Sequence, residues 1–213
     1  MQNFTIDNGI PREEIREMIS CFQPELRTYS ANETILCYSD KKNKIGVLLT
    51  GSAHLYAINS EGEYQELETY RVRDVFGEIF HVPIENFEYI IESTSYAKVM
   101  FIDYKHIITP CSKICEHHTQ LINNLFHMTA KKVQLLSLHL SIISQNTIRK
   151  KLLAYLKYIR HTAGSNPFTI PLSLISLSEY LCVDRSAMMR EISHLKRDGV
   201  LSSQGTRFYL SEA

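Results

Sequence analysis

The sequence contains no tryptophan, few cysteines, no net charge and no long apolar run. Each absence narrows the field. Without a run of about 20 apolar residues, no membrane-spanning helix is expected. The opening MQNFTIDNGIPREEIRE lacks the basic start and apolar centre of a secretion signal, so a cytoplasmic protein with no membrane partner is expected. The five cysteines are Cys21, Cys37, Cys111, Cys115 and Cys182. An odd, scattered set in such a chain argues against a disulfide framework. Only Cys111 and Cys115 lie close together, and there is no C-x-x-C pair. A zinc or iron–sulfur site needs more ligands than that, so free thiols, no metal and no cofactor are expected.

The zero net charge hides an asymmetry. Residues 1–108 hold 10 Lys and Arg against 17 Asp and Glu, a balance of −7, and residues 109–213 hold 13 against 6, a balance of +7. An acidic front and a basic back predict two domains, the second facing a polyanion.

Residues 11–22 have the spacing of a short helix, with Pro11 at its start and Ile15, Met18 and Ile19 on one side. After Pro24 the texture changes to short apolar runs separated by turns: 33–38, 45–49, 53–58, 64–70, 88–93 and 97–102, with an Asn59–Gly62 turn between the third and fourth. Many short strands predict a sandwich or barrel. From Ser112 to Ile143 there is neither Gly nor Pro, which permits a helix roughly 45 Å long at about 1.5 Å per residue. It carries two apolar stripes. One is Leu121, Leu125, Met128 and Leu135. The other is Ile122, Phe126, Val133, Leu136, Leu140 and Ile143, spaced like a coiled-coil seam. One small strand domain cannot cover so long a helix, so the second stripe predicts a homodimer. Residues 147–160 form a further amphipathic helix with Ile148, Leu152, Tyr155, Leu156 and Ile159 inward, and 168–172 read as an edge strand because Pro171 cannot donate to a ladder.

The last forty residues carry the functional pattern. Ser176 is expected to cap a helix that buries Leu177, Tyr180 and Leu181. Asp184 is the expected cap of a second helix, whose inward stripe is Met188, Ile192 and Leu195 and whose opposite face holds Arg185, Arg190, His194 and Arg197. Gly199 suits the left-handed end of that helix. Val200–Leu201 and Arg207–Leu210 then alternate as two strands around Gly205. Helix, turn, helix and hairpin in this order predict a winged helix-turn-helix that presents Arg185, Ser186, Met189 and Arg190 to the DNA major groove. Arginine matches the two acceptors on a guanine edge.

The whole layout resembles the cyclic-AMP receptor protein–FNR (Crp/Fnr) superfamily of bacterial transcription regulators. The markers are Leu49-Thr50-Gly51-Ser52-Ala53, the turn at Gly62, Asp74-Val75-Phe76-Gly77-Glu78-Ile79, the long helix, and the run Val183 to Arg190. The resemblance implies an α+β architecture: a cyclic-nucleotide-binding-like β-roll sensing an effector (1–110), a long dimerisation helix (111–144) and a winged-helix DNA-binding domain (145–213). It implies double-stranded DNA with a pseudo-palindromic operator as partner, and admits RNA polymerase as another. Arg185, Ser186 and Arg190 fall on the family's base-reading positions, and Ser173 falls where a phosphate is commonly met. Gly77, Glu78, Gln134 and Leu135 fall on effector positions, and Ile122, Phe126, Val133, Leu136 and Leu140 on the dimer seam.

Three departures are visible. Ser186 stands where well-known members have a glutamate. Cys182 stands where the turn usually has glycine. After Gly77-Glu78, residues 80–90 contain no Arg or Lys but include Glu85 and Glu88. A buried phosphate without a cation is costly, so an unidentified small molecule other than cyclic AMP is the expected effector. The alternatives within the fold are haem sensing through His81 and thiol sensing through Cys111 and Cys115. A cupin-like metalloenzyme needs clustered histidines, and His54, His81 and His106 are isolated, so no catalytic residues are assigned.

Overall fold

The computed structural model describes residues 22–40, 43–81, 88–109 and 116–211. Residues 11–21 of the expected helix over 11–22, Cys21 among them, lie outside these residues, as do Cys111, Cys115, the segment 82–87 and the side chain of His81. Two compact units divide the chain, Met1–Ala130 and Lys131–Ala213.

In the first unit, period-two patterning makes strands. The strands are β1 (Glu25–Tyr29), β2 (Thr34–Cys37), β3 (Lys44–Thr50), β4 (Ala53–Ile58), β5 (Tyr64–Tyr70), β6 (Val75–Phe76), β7 (Glu88–Ser93) and β8 (Ala97–Asp103). They pair antiparallel in two four-stranded sheets, ordered β1-β8-β3-β6 and β2-β7-β4-β5. On β4, Ala53, Leu55 and Ala57 point inward while His54, Tyr56 and Ile58 are half-exposed. Residues from both sheets, including Leu36, Leu48, Tyr70, Phe76, Ile91 and Val99, form the core between them. Strand β3 is apolar on both faces, because its other side also has a cover. Ile45 and Val47 pack there with Ile102, Phe22, Ile107 and Leu121. Each such fully buried aliphatic side chain contributes about 1.5–3 kcal/mol.

The turn at 59–62 forms as expected. Asn59 Oδ1 accepts from the Glu61 and Glu63 amides, and Gly62 takes a left-handed φ of 80°. Gly77 is left-handed too (φ 97°), and a Cβ there would lie 2.6 Å from the Lys44 carbonyl oxygen. Only glycine passes at that approach. Strands β1 and β6 and the helix α1 (Tyr104–Ile108) had no separate signal in the sequence.

Helix α2 runs from Glu116 to Ile143. Its first apolar stripe behaves as expected over two turns: Leu121 is fully buried, and Leu125 and Met128 pack with it. Leu135 departs from the expectation. It lies one heptad on, about 10 Å along the axis, packs with neither unit's core and is 46 % exposed.

The second unit is helical with a small sheet. Its further elements are α3 (Ile148–Ala163), β9 (Phe168–Thr169), α4 (Leu174–Tyr180), α5 (Arg185–Arg197), β10 (Leu201–Gln204) and β11 (Arg207–Leu210). Thr147 caps α3 through its side chain and left-handed Gly164 closes it. The sheet order is β10-β11-β9, which leaves β9 on an edge as expected, although it covers only Phe168–Thr169 and stops short of Pro171 and the expected 168–172. Leu152, Leu156, Leu177, Met188, Leu195 and Phe208 are at the centre of one core, and Leu138 and Ile142 of α2 belong to it.

Candidate nucleic-acid interface

The segment between Ser173 and Leu210 places its two helices with a cap at each end. At the start of α4 the cap is Ser173, not Ser176: the Ser173 hydroxyl accepts from the Ser176 amide at 3.0 Å and lies 2.9 Å from the Ser176 hydroxyl. Leu174 packs against the core, which pulls the first turn three residues earlier than expected. Leu177 and Leu181 are buried as expected, whereas Tyr180 is half-exposed. Its ring stacks on His139 at 4.0 Å, and His139 Nε2 donates to the Tyr180 carbonyl at 2.6 Å. That bond fixes the proton on Nε2 and occupies one open carbonyl at the end of α4.

Helices α4 and α5 end in the same motif. At α4 the Val183 amide donates to the Ser178 carbonyl and the Cys182 amide to the Glu179 carbonyl, both at 3.0 Å. At α5 the Val200 amide donates to Leu195 at 3.0 Å and the Gly199 amide to Lys196 at 3.1 Å. Both are Schellman closures, which require a left-handed residue after the cap. Gly199 meets that at φ 68°, but Cys182 must adopt φ 51° with a side chain. The left-handed penalty is about 1–2 kcal/mol for a residue with a Cβ, while glycine returns about 0.5–1 kcal/mol to the unfolded chain. Cys182→Gly should therefore raise stability by about 0.5–1 kcal/mol, seen as a higher urea midpoint. A midpoint that stays put or falls would show the turn to be unstrained.

Asp184 caps α5, its Oδ1 accepting from the Ala187 amide at 2.8 Å. Met188, Ile192 and Leu195 are buried, so the helix has one permitted rotation about its axis. The opposite side is an open, shallow groove lined by Arg185, Ser186, Met189, Arg190, Ser193 and Arg197, with His194 beside them. Arg185 and Arg190 make no ion pair among the described residues. Met189 is 37 % exposed, an apolar group set between two guanidinium groups. Such a surface offers bidentate donors for guanine and an apolar contact for a thymine methyl. The acids nearest to it are engaged elsewhere: Arg149 of α3 reaches Glu191 Oε1 at 3.4 Å and Asp198 Oδ2 at 2.7 Å. Lys196 Nζ donates to the Ser203 carbonyl at 2.9 Å, tying α5 to the hairpin.

No family model matches the chain. Among curated proteins, it is similar to the transcriptional activator protein FnrL of Cereibacter sphaeroides, 23% identical over 190 residues covering 85% of this chain and 74% of that protein. It is similar to the probable transcriptional regulator flp of Lacticaseibacillus casei, 23% identical over 180 residues covering 84% of this chain and 80% of that one. Among solved structures, CprK complexed with OCPA matches with a TM-score of 0.69 at 16% identity, over 99% of this chain and 96% of that one. The chain thus resembles Crp/Fnr-type regulators in sequence over most of its length, and it shares the fold of CprK.

Both curated relatives are named as transcription regulators. The chain's α+β fold carries the expected β-roll, long helix and winged helix-turn-helix. Ser173, Arg185, Ser186, Met189 and Arg190 all lie in the second unit, four of them on the open groove and Ser173 at the start of α4. The other expected residues are placed elsewhere. Gly77 and Glu78 belong to the first unit, at the end of β6. Gln134 and Leu135 belong to the second unit and are exposed on α2. Near Glu78, burial pushes the Tyr70 hydroxyl far up, and the carboxylates of Glu68 and Glu78 push it further. Tyr70 donates to Glu68 Oε2 at 3.0 Å. The seam residues Ile122, Phe126, Val133, Leu136 and Leu140 are all exposed. Among the described residues no helix is long and apolar enough to cross a membrane. Two contributors escaped the sequence reading, His139 and Arg149. Both act on elements far away in sequence, and residue spacing carries no signal for that.

Proposed function

We propose that the protein is a dimeric, sequence-specific regulator that binds double-stranded DNA through α5. The supporting observation is the α5 face itself: a capped helix, fixed in rotation by Met188, Ile192 and Leu195, with unpaired Arg185 and Arg190 outward. Two copies joined along the exposed seam of α2 present two such helices to successive major grooves, roughly 34 Å apart. Arg185 and Arg190 read guanines, Ser186 and Met189 contact neighbouring base edges, and the start of α4 at Ser173 meets a phosphate. Cytoplasmic location and contact with RNA polymerase fit this role.

The β-roll senses a small effector around Gly77 and Glu78. Two carboxylates lie there: Glu68 accepts from the Tyr70 hydroxyl at 3.0 Å, and Glu78 follows Gly77. With no Arg or Lys in residues 80–90, that setting disfavours a cyclic phosphate. The effector is therefore a molecule other than cyclic AMP, and it acts by binding one pose of the reading helices better than another.

Selection of binding sites by the full-length protein from a random duplex pool tests both parts. The expected result is a pseudo-palindrome with guanines in each half-site and centres about 10 base pairs apart, with an affinity that cyclic AMP leaves unchanged. A pool with no enrichment overturns the DNA reading. A gain in affinity at micromolar cyclic AMP overturns the effector reading alone.

A further inference from the structure

We infer that Arg149 is a positioning and charge-neutralising residue for DNA binding, although it does not itself touch DNA. The inference rests on the reading of α5 as the DNA-contacting helix.

Helix α5 is not uniformly basic. Glu191 directly follows Arg190, and Asp198 occupies the C-cap. Both carboxylates are badly placed for a helix that approaches phosphates. Asp198 also sits at the negative end of the helix dipole, where an anion is unfavourable. One cation from outside the helix deals with both. Arg149, in the first turn of α3, sends Nη1 to Glu191 Oε1 (3.4 Å) and Nη2 to Asp198 Oδ2 (2.7 Å). The two ends of one guanidinium thus hold two acids seven positions apart along α5. A planar fork does this and an ammonium does not. His194 also approaches Glu191, with its Nδ1 3.8 Å from the other Glu191 oxygen.

The arrangement has two effects. It cancels negative charge beside the reading arginines, and it ties the second half of α5 to α3. The ion pairs are partly exposed, so their contribution to stability is small. Their importance lies in what the phosphate backbone encounters. Removing Arg149 exposes two carboxylates to phosphates about 10 Å away in high dielectric, which weakens binding by roughly fivefold.

The test uses the full-length protein and a fluorescein-labelled duplex carrying a selected site, titrated by anisotropy at several salt concentrations. Arg149→Gln should weaken binding roughly fivefold with an unchanged salt slope and an almost unchanged melting temperature. Adding Glu191→Gln and Asp198→Asn to it should return the affinity to that of the wild type. Arg149→Lys should bind between the wild type and Arg149→Gln, because the charge is kept but an ammonium does not hold both acids. If Arg149 instead met a phosphate, the salt slope would fall by about 0.9 and neutralising the acids would not rescue binding, which overturns the assignment. Unchanged binding by Arg149→Gln overturns it as well, as does a large drop in melting temperature without rescue. A wild-type protein that binds no duplex removes the DNA reading itself, and this inference falls with it.

Discussion

Arg190→Ala costs about 1–3 kcal/mol at a selected operator and relaxes the preference at a single base pair of each half-site. The expectation follows from how the side chain is held. Met188 and Ile192, on the buried side of α5, set the azimuth of residue 190, and the Asp184 cap fixes where the helix begins. No carboxylate among the described residues competes for the guanidinium, since Glu191 turns toward Arg149. The fork is therefore available to both acceptors of a guanine, and losing it removes two charge-assisted hydrogen bonds at one position. Measured on operators substituted one base pair at a time, the variant should bind all four bases at that position alike. An equal loss on every sequence, with the preference intact, would make Arg190 a phosphate contact instead.

The α2 seam yields the second large effect. Phe126 is 71 % exposed, Leu140 64 %, Leu136 61 % and Val133 55 %. Four large apolar groups in a coiled-coil register on one helix are far more than scattered surface hydrophobics. Burying each against a second copy returns about 1.5–3 kcal/mol. Replacing Phe126 and Leu136 together by aspartate substitutes charge for apolar contact at two levels of the seam. The dimer dissociation constant should rise at least about a hundredfold, roughly 2.7 kcal/mol. Sedimentation should then show a monomer where the parent is a dimer. Operator affinity should drop steeply with it, because the second half-site is no longer held at high effective concentration. A parent that sediments as a monomer, or a variant that stays dimeric, removes the seam from the mechanism.

Much of this was legible in the sequence, and the reasons are physical. The apolar runs 53–58, 64–70 and 88–93 match β4, β5 and β7 to the residue, and on β4 the alternation is clear because one face is buried and the other is half-exposed. The spacing of Met188, Ile192 and Leu195, with Asp184 ahead and Gly199 behind, fixes α5 in the same way. Local chemistry misled once, at Ser176. Two serines three residues apart are equally good caps, and only the burial of Leu174 decides for Ser173. Tertiary effects stayed hidden. Leu135 follows its heptad yet finds no cover, and Tyr180 fits a buried stripe yet ends half-exposed against His139. Nothing in the neighbourhood of Arg149 signals that it reaches residues 191 and 198.

The last two turns of α2 bear on how the protein can be taken apart. Leu138 and Ile142 are part of the same core as Leu152 and Leu177, and His139 closes a carbonyl at the end of α4. The loop at 144–147 is thus a connection inside a folded body and not a seam between modules. A reading head cut at that loop would leave behind two core side chains and a hydrogen bond. Grafting it onto another sensor therefore calls for a junction within α2, upstream of Leu138, where the splice lies on a solvent-facing helix and no shared core is divided.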